Sequence, residues 1–334
     1  MLDSAMVHLP SFPPTMNVSE IKTAYGAYYE NSGQNMKRIL GKLSQGIVTP
    51  GICTPIKTDD TVFKLGQLTI GNIVQSFQKG WTPKHAAAFT PNELRLYQFK
   101  VDEEINPDDI EATWLGFLAG SSVDRQSWPL IKFLIEYPEM GYLSKINSDM
   151  ELNEYGKGVY LAPTPGVAGA TGKSMNGIIK QLQIGVDAET INSINIQPLN
   201  AASIFDQVEL FADGISEVYQ SVKMNICMSP KWHRLYLRDK RAAGFFTLQT
   251  ANEITSGIDF TPQQVLPLPS LSGTDVIFAT PQTNILHLTK KGPNKTNIRI
   301  EEYRRNVSFM CDWWEGIGFG IDAAVWTNLQ KAGG

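Results

Sequence analysis

The clearest repeating pattern of apolar positions lies between Ser203 and Val222. Apolar side chains recur there at alternating steps of four and three residues, with acidic side chains between them. This spacing predicts an amphipathic helix. Ser203, followed three positions later by Asp206, resembles a capping box that would begin it. The apolar positions are Ile204, Val208, Phe211, Ile215, Val218 and Val222, and the acidic ones are Asp206, Glu209 and Asp213.

Strand-like and helical segments alternate around this predicted helix. The strand-like INSINIQPL precedes it and KMNICMS follows it. Pro230 then suits the first turn of a basic helix, PKWHRLYLRDKR, which Gly244 can end. Because the connections are short, these segments predict a compact α/β body.

The end of the chain alternates with period two, which predicts strands with one buried face. Glu315 and Gly316 stand between two such runs. We therefore expect a turn or bulge at these residues and two long antiparallel strands around them. The apolar positions are Val307, Phe309, Cys311 and Trp313 in the first run, and Ile317, Phe319, Ile321, Ala323 and Val325 in the second.

Three differently patterned segments precede the α/β body. The pattern of residues 1–45 is typical of an arm, because prolines interrupt its start and a polar, tyrosine-rich stretch follows. Residues 46–105 contain short β-prone pieces, which predict a long hairpin that would lean on another body, such as a neighbouring subunit. Residues 106–185 begin as helix at Pro107 and continue through two apolar helical pieces, IEATWLGFLAG and SWPLIKFLIEY, to a strand-like VYLAP and a Gly-rich loop.

Composition narrows the class of protein. Hydrophobic residues make up 42% of the 334 residues and charged residues 19%, below the roughly 25% that is typical. The resulting neutral surface suits contacts between subunits. The formal net charge is -4 and the pI is about 5.7, so a dedicated nucleic-acid-binding protein is not expected.

Cysteine usage and hydropathy point to a soluble chain. Cys53, Cys227 and Cys311 are odd in number and far apart, so a reducing folding environment fits better than a disulfide framework. A signal peptide begins with basic residues and continues with an apolar stretch, whereas this sequence begins with Asp3 and several prolines, so we predict no signal peptide. No apolar run approaches the ~20 residues that cross a bilayer, so we expect no membrane partner.

The sharpest enzymatic candidate is the loop GVAGATGKS, Gly166 to Ser174. A phosphate-binding P-loop needs a glycine five positions before Gly172, but that position is Val167. The extra residue would misplace the backbone amides around a phosphate. We expect a flexible or subunit-contacting loop, and a P-loop nucleotide-binding enzyme remains an alternative.

Other catalytic and metal-binding patterns are missing from the sequence. None of the histidines has a His or Cys partner at ligand spacing, and neither HExxH nor GxSxG occurs. Glu103 with Glu104 reads as a solvated pair. We therefore predict no catalytic residue, no cofactor, no metal site and no enzymatic activity. The histidines are His8, His85, His233 and His287.

The basic helix could contact phosphates, and its Trp232 and Tyr236 could stack on bases. In an acidic chain, an ion-pair surface between subunits is the favoured use. Trp313, Trp314 and Trp326 are expected in core or interface packing. The basic residues of the helix are Lys231, Arg234, Arg238, Lys240 and Arg241.

The order of segments resembles tailed-phage major capsid proteins of the Hong Kong ninety-seven type. The resemblance rests on IFATPQTNILHLTKKG, on the closing run from IRIEEYRRN to AAVWTN, and on NICMSPKWHRLYLRDKR. The residues that carry it are Thr280, Pro281, Asn284, Val325 and Trp326.

This resemblance implies a mixed α/β major capsid fold with a defined order of parts. These are an N-terminal arm over 1–45, an extended hairpin loop over 46–105, a spine helix and the start of the P-domain over 106–185, an A-domain over 186–290 and P-domain return strands over 291–334.

The resemblance also implies a function. Subunits would assemble into hexamers and pentamers of an icosahedral virion shell that encloses double-stranded DNA through weak, non-specific contacts. Assembly would take place in the host cytoplasm with scaffold, portal or auxiliary proteins. Some members link a loop lysine to an asparagine, but no partner is identifiable for Lys57, Lys64 or Lys79, so we predict no cross-linking. An encapsulin-like nanocompartment shell remains the alternative with the same fold.

Overall fold

A computed structural model describes residues 46–84, 87–105, 142–243, 256–292, 297–303 and 306–331. The predicted N-terminal arm, the two apolar helical pieces between Ile110 and Tyr137, and Gly244 lie outside these residues. The helices are α1 (Thr49–Ile52), α2 (Tyr142–Asp149), which a π-helix (Met150–Tyr155) extends, α3 (Ile178–Asp187), α4 (Ile204–Asp213), α5 (Glu217–Gln220) and α6 (Pro230–Ala242).

Short 3-10 turns and strands complete the architecture. The 3-10 turns are Pro269–Leu271, Gln282–Asn284 and Asp322–Ala324. The strands are β1 (Thr54–Thr58), β2 (Val62–Ile70), β3 (Ala87–Arg95), β4 (Tyr97–Ile105), β5 (Asn192–Ser193), β6 (Met224–Met228), β7 (Gln264–Pro267), β8 (Phe278–Pro281), β9 (Ile285–Lys290), β10 (Asn297–Tyr303), β11 (Asn306–Phe319) and β12 (Trp326–Thr327).

The described residues divide into two compact units. The smaller unit draws on segments 100–145 and 295–312. In it, β10 pairs antiparallel with the first half of β11, from Asn297 opposite Asp312 to Tyr303 opposite Asn306. The rings of Tyr142 and Phe309 stack at 5.4 Å. The alternation predicted for this part of the chain therefore forms a strand.

The larger unit draws on segments 46–99, 146–294 and 313–334. Its first sheet places β9 between β1, which is parallel to it, and the second half of β11, which is antiparallel. Its second sheet has the order β5-β12-β8-β6-β7. Parallel pairs of β6 with β7 and of β5 with β12 flank the antiparallel pairs that β8 makes.

The second sheet and its helices contain a large apolar core. The apolar faces of α4 and α6 pack on β6, β7 and β8, and each fully buried large side chain contributes about 1.5–3 kcal/mol. The predicted α/β body is present here. Its most buried members include Ile204, Val208, Phe211, Ile226, Tyr236 and Ile277.

The predicted continuous helix from Ser203 to Val222 is wrong in its second half. Helix α4 ends at Asp213, and the backbone turns to an extended conformation at Ser216, with ψ 134°, before α5 begins. Val218 is consequently 78% exposed. Ser203 makes no side-chain capping hydrogen bond, so the predicted capping box is also wrong. The helix start predicted at Pro230 is confirmed, with Ser229 as its cap.

The turn or bulge predicted at Glu315 and Gly316, and the two antiparallel strands predicted around it, are wrong, because the single strand β11 continues through both residues and ends at Phe319. Gly316 permits this continuation. A Cβ at Gly316 would lie 2.4 Å from the carbonyl oxygen of Arg95, so only glycine lets the two backbones approach this closely. The strand-like INSINIQPL also shortens to Asn192–Ser193, and VYLAP forms no strand.

Candidate assembly surface

Strands β2 and β3 form a two-stranded antiparallel hairpin. Their register runs from Val62 opposite Arg95 to Ile70 opposite Ala87, and neither strand pairs with another strand of the described chain. Lys64 and Glu93 face each other at 3.3 Å, but both are exposed, so this ion pair adds little stability. Because a two-stranded hairpin is marginal in water, the strands need packing elsewhere.

That packing is present at the base of the hairpin. Leu94 and Leu96 are buried against Leu286 and Leu288 of β9. The side-chain amide of Asn92 donates to the carbonyl oxygen of Phe319 at 3.0 Å and to the carboxylate of Asp322 at 3.2 Å. The base is therefore fixed to the body of the protein by apolar contacts and hydrogen bonds.

The far end of the hairpin, residues 71–84, is called the hairpin tip. Every residue of the tip is exposed. Val74 is 87%, Phe77 94% and Trp81 92% exposed, although the side-chain amide of Gln75 donates to the Thr82 carbonyl at 2.8 Å within the tip. Exposed apolar groups of this size mark binding surfaces, and Phe and Trp are enriched in protein interfaces.

The loop that resembles a P-loop binds a carboxylate of the same chain, that of Glu154. The backbone amides of Gly172 and Ser174 donate to Glu154 at 2.8 and 3.3 Å. Gly172 has φ +80°, which glycine adopts without strain. Burial raises the pKa of Glu154, and hydrogen bonds from these amides oppose that shift.

This arrangement disagrees with a phosphate cradle. In a P-loop the backbone amides point at the phosphate, whereas here two of them bind a buried side chain of the same molecule. Two backbone hydrogen bonds join the ends of the loop. The amides of Val159 and Leu161 donate to the carbonyl oxygens of Gly172 and Lys173. Residues 161–171 are all exposed, as a contact loop requires.

Glu315 is the centre of a buried hydrogen-bond cluster that the sequence interpretation missed. Its carboxylate is 0% exposed and accepts from the Tyr155 hydroxyl at 3.1 Å and the Trp313 indole at 3.1 Å. His287 Nε2 lies 2.8 Å from it. Burial raises the pKa of Tyr155 well above its usual range, and the nearby Glu315 carboxylate raises it further. These bonds join β9, β11 and the π-helix.

A second buried carboxylate, Glu151, fixes the start of the described chain. It accepts from the Thr49 hydroxyl at 2.7 Å and from the backbone amides of Val48 and Thr49 at 3.1 Å each. The hydroxyls of Thr49 and Ser270 lie 2.8 Å apart. The cluster joins α1, the π-helix and the turn at Pro269–Leu271, so its role is structural.

The threonine and asparagine of the TPxxN passage form a clamp. The side-chain amide of Asn284 donates to the Thr280 hydroxyl and to the Ile321 carbonyl, both at 2.9 Å, and its oxygen accepts from the Ile321 amide at 2.7 Å. The Thr280 hydroxyl donates to the Ala324 carbonyl at 2.8 Å. The clamp thus holds the chain between β11 and β12.

Part of the basic helix α6 is buried, although its basic and aromatic residues were predicted to face a partner. Lys240 is buried and pairs with Asp259 at 3.0 Å. Trp232 and Tyr236 are buried in the core, so the prediction that they could stack on bases is wrong. The other four basic residues are exposed.

The remaining candidates are not assembled into one site. His287 lies in β9, whereas His233 is half-buried on α6, where burial lowers its pKa; His8 and His85 are outside the described residues. Lys57, Lys64 and Lys79 lie in β1, β2 and the hairpin tip. Glu103 and Glu104 are exposed in β4. Trp313 and Trp326 are buried, as expected.

Two other kinds of site are absent from the described residues. No group of three or more His, Cys, Asp or Glu side chains there could hold a metal ion. None of the helices in the described segments has the length and apolar character that a membrane span requires.

Comparison with solved structures identifies the fold. The chain is similar to one from the satellite phage P4 procapsid with its size determination protein, at 12% identity and TM-score 0.53, over 88% of this chain and 99% of that one. It is also similar to the capsid of Myoviridae phage XM1 (11% identity, TM-score 0.48, 87% and 92% covered). A further similar structure is the SrpI encapsulin of Synechococcus elongatus PCC 7942 (10%, 0.46, 84% and 87%).

The protein therefore has the mixed α/β fold of phage capsid proteins, and the predicted fold class is confirmed. No protein-family model and no curated protein matches the sequence. At 12% identity the similarity establishes the fold, which extends over nearly the whole of both chains.

Proposed function

We propose that this protein is a structural major capsid protein that assembles with copies of itself into a closed shell. The hairpin tip carries this proposal, because Phe77 and Trp81 are almost fully exposed in the single chain. Burying a side chain of either type contributes about 1.5–3 kcal/mol or more. A neighbouring subunit supplies the body against which the tip packs, as the capsid fold supports.

The finer parts of the proposal follow the resemblance to the Hong Kong ninety-seven type. The shell is icosahedral, is built from hexamers and pentamers, and encloses viral double-stranded DNA. Scaffold, portal or auxiliary proteins take part in assembly in the host cytoplasm, and the mature location is the virion. The domain boundaries given by the resemblance belong to this proposal. No catalytic role is assigned to any residue.

Electron microscopy of the purified chain tests the proposal. We expect closed particles of uniform size, alone or after co-expression with a scaffold, and nuclease-protected DNA in particles from infected cells. Particles that contain protein cargo and no DNA would support a nanocompartment shell instead. A monomeric solution under every condition would contradict both.

The enzymatic alternative has its own test. The chain should show no saturable binding of ATP or GTP, with or without Lys173→Ala, since Gly172 and Ser174 direct their amides to Glu154. Nucleotide binding that Lys173→Ala abolishes would contradict this interpretation.

A further inference from the structure

Helix α4 presents an acidic stripe on its solvent side. The stripe consists of Asp206, Glu209 and Asp213, which are three and four residues apart and therefore share one face. Asp206 and Asp213 are exposed and Glu209 is half-buried. Leu210 lies in the same face and is 55% exposed. The opposite face, with Val208 and others, is buried in the core.

Helix α6 presents a basic stripe of similar length. Its members are Lys231, Arg234, Arg238 and Arg241, all of them exposed. Their spacing of three, four and three residues places them on the face opposite the buried Trp232, Tyr236 and Lys240. Arginine is favoured in interfaces because its planar group binds carboxylates with two parallel hydrogen bonds.

Neither stripe is neutralised within the part of the chain that the structure describes. No residue of the basic or the acidic stripe forms a salt bridge there. Like charges at these helical spacings repel one another. Burial and then the neighbouring carboxylates, Asp206 first, raise the pKa of Glu209, and only the buried Lys240 of α6 opposes this shift. Each helix therefore holds a row of like charges that an oppositely charged partner would stabilise.

Building on the proposed function, we propose that the acidic stripe of one copy binds the basic stripe of the next copy. Three carboxylates would face four cationic groups over comparable lengths, about 11 and 15 Å at 1.5 Å per residue. When each copy uses its two stripes with two different neighbours, the contact is of the head-to-tail kind that can close subunits into rings. Leu210 gives the acidic side an apolar centre.

A second copy fits the basic stripe better than nucleic acid does. Helices α4 and α6 adjoin, since the Phe205 amide donates to Asp239 at 3.0 Å and the rings of Phe205 and Tyr236 lie 5.8 Å apart. A polyphosphate that extended from the basic stripe onto the adjoining α4 would therefore meet carboxylates. A protein surface that carries both signs of charge has no such conflict.

Charge reversal tests the contact with a matched control. The acid-reversed variant is Glu209→Lys with Asp213→Lys, and the base-reversed variant is Arg234→Glu with Arg238→Glu. Each should give at least tenfold fewer particles than the wild type, because one side of every contact now repels. The doubly reversed variant carries all four changes and has the net charge of the wild type, and it should assemble again.

Mixing makes the test specific for a contact between copies. Equal amounts of the acid-reversed and base-reversed variants should associate in even-membered rings such as hexamers, since each contact in an alternating ring pairs opposite charges, whereas neither variant should form such rings alone. The doubly reversed variant should not co-assemble with tagged wild-type chains. Circular dichroism of each variant checks folding. If a single reversal does not fold, Glu209→Gln with Asp213→Asn replaces it and should lower the yield to an intermediate level.

Three outcomes would overturn the inference. Particle yields of both single reversals equal to the wild type would show that the stripes do not meet. Normal particles that lose DNA only in the base-reversed variant would assign the basic stripe to nucleic acid. A wild-type chain that never assembles would contradict the proposed function itself, and the contact with it.

Discussion

Replacing Glu315 by alanine removes the acceptor at the centre of the buried cluster between β9, β11 and the π-helix. The carboxylate is 0% exposed, and the Tyr155 hydroxyl, the Trp313 indole and the His287 ring all lie within 3.1 Å of it. In Glu315→Ala these groups lose their partner, and the Tyr155 hydroxyl and the Trp313 indole are buried from water. The expected result is a large loss of folding stability.

The magnitude follows from the groups left without partners. A buried polar group that loses its hydrogen bond costs about 1–3 kcal/mol, so the three groups give a loss of about 3–6 kcal/mol if some rearrange. A typical domain is stable by about 5–15 kcal/mol. Glu315→Gln keeps the volume and one acceptor oxygen but turns an NH₂ group toward other donors, so we expect a smaller loss, about 1–3 kcal/mol.

Urea unfolding of the unassembled chain, followed by tryptophan fluorescence, measures these losses. Trp313 contacts Glu315 directly and stacks on Phe99 at 5.3 Å, so it is one of the seven tryptophans whose emission should change on unfolding. Glu301→Ala is the control, because Glu301 is exposed in β10 and should change stability by less than about 0.5 kcal/mol. A change below about 1 kcal/mol in Glu315→Ala would refute the reasoning.

Three further predictions concern the tip, the clamp and the buried acid of the Gly-rich loop. Phe77→Ser with Trp81→Ser should leave the stability of the single chain unchanged. It should raise the concentration needed for assembly, measured by light scattering, about 100-fold or more, since about 3–6 kcal/mol of contact energy is lost. An unchanged assembly concentration would argue against a contact made by the tip. Asn284→Ala should lower stability in urea by about 2–4 kcal/mol, because it removes one buried and two part-buried hydrogen bonds. Replacing the exposed Thr283 by alanine should not lower it, and equal effects of the two changes would exclude the clamp. The pKa of Glu154 is raised on folding from its ordinary 4.5, so the folded state binds more protons than the unfolded state. The wild type should therefore lose stability relative to Glu154→Gln as pH rises from about 4.5 to 7. A difference in stability that does not vary with pH would contradict this.

Periodicity predicted the elements whose side chains face one core. Helix α6 begins at Pro230 as expected, because a missing amide hydrogen is no loss in the first turn and the fixed φ suits it. The alternation from Val307 to Trp313 likewise gave a strand with one buried face. In both cases a local rule and the tertiary packing favour the same conformation.

The errors arise where tertiary contacts override local preference. Glu315 and Gly316 read as a turn because a charged residue and a glycine interrupt an apolar run. Glu315 nevertheless continues the inward positions of Trp313 and Ile317, and that position was the available signal for a buried, bonded carboxylate. The partners that make it tolerable, such as Tyr155, are far away in sequence, so spacing could not reveal them.

The surface proposed for assembly was predictable only in outline. The β-prone segments of residues 46–105 indicated a hairpin. They did not reveal that its strands pair over Val62–Arg95 or that Asn92 fixes its base. The charge of α6 was evident, whereas Lys240 looked like the other basic residues until Asp259 was found beside it. Burial of one charged residue among several depends on contacts that only the fold defines.

A cryo-electron microscopy reconstruction of the purified protein tests most directly the claim that this chain builds a shell by contacts between copies. We predict closed particles in which residues 71–84 of each hairpin, with Phe77 and Trp81, lie against a neighbouring subunit. Particles in which the hairpin tip contacts only its own chain or solvent, or a preparation that contains no closed particles, would contradict the account.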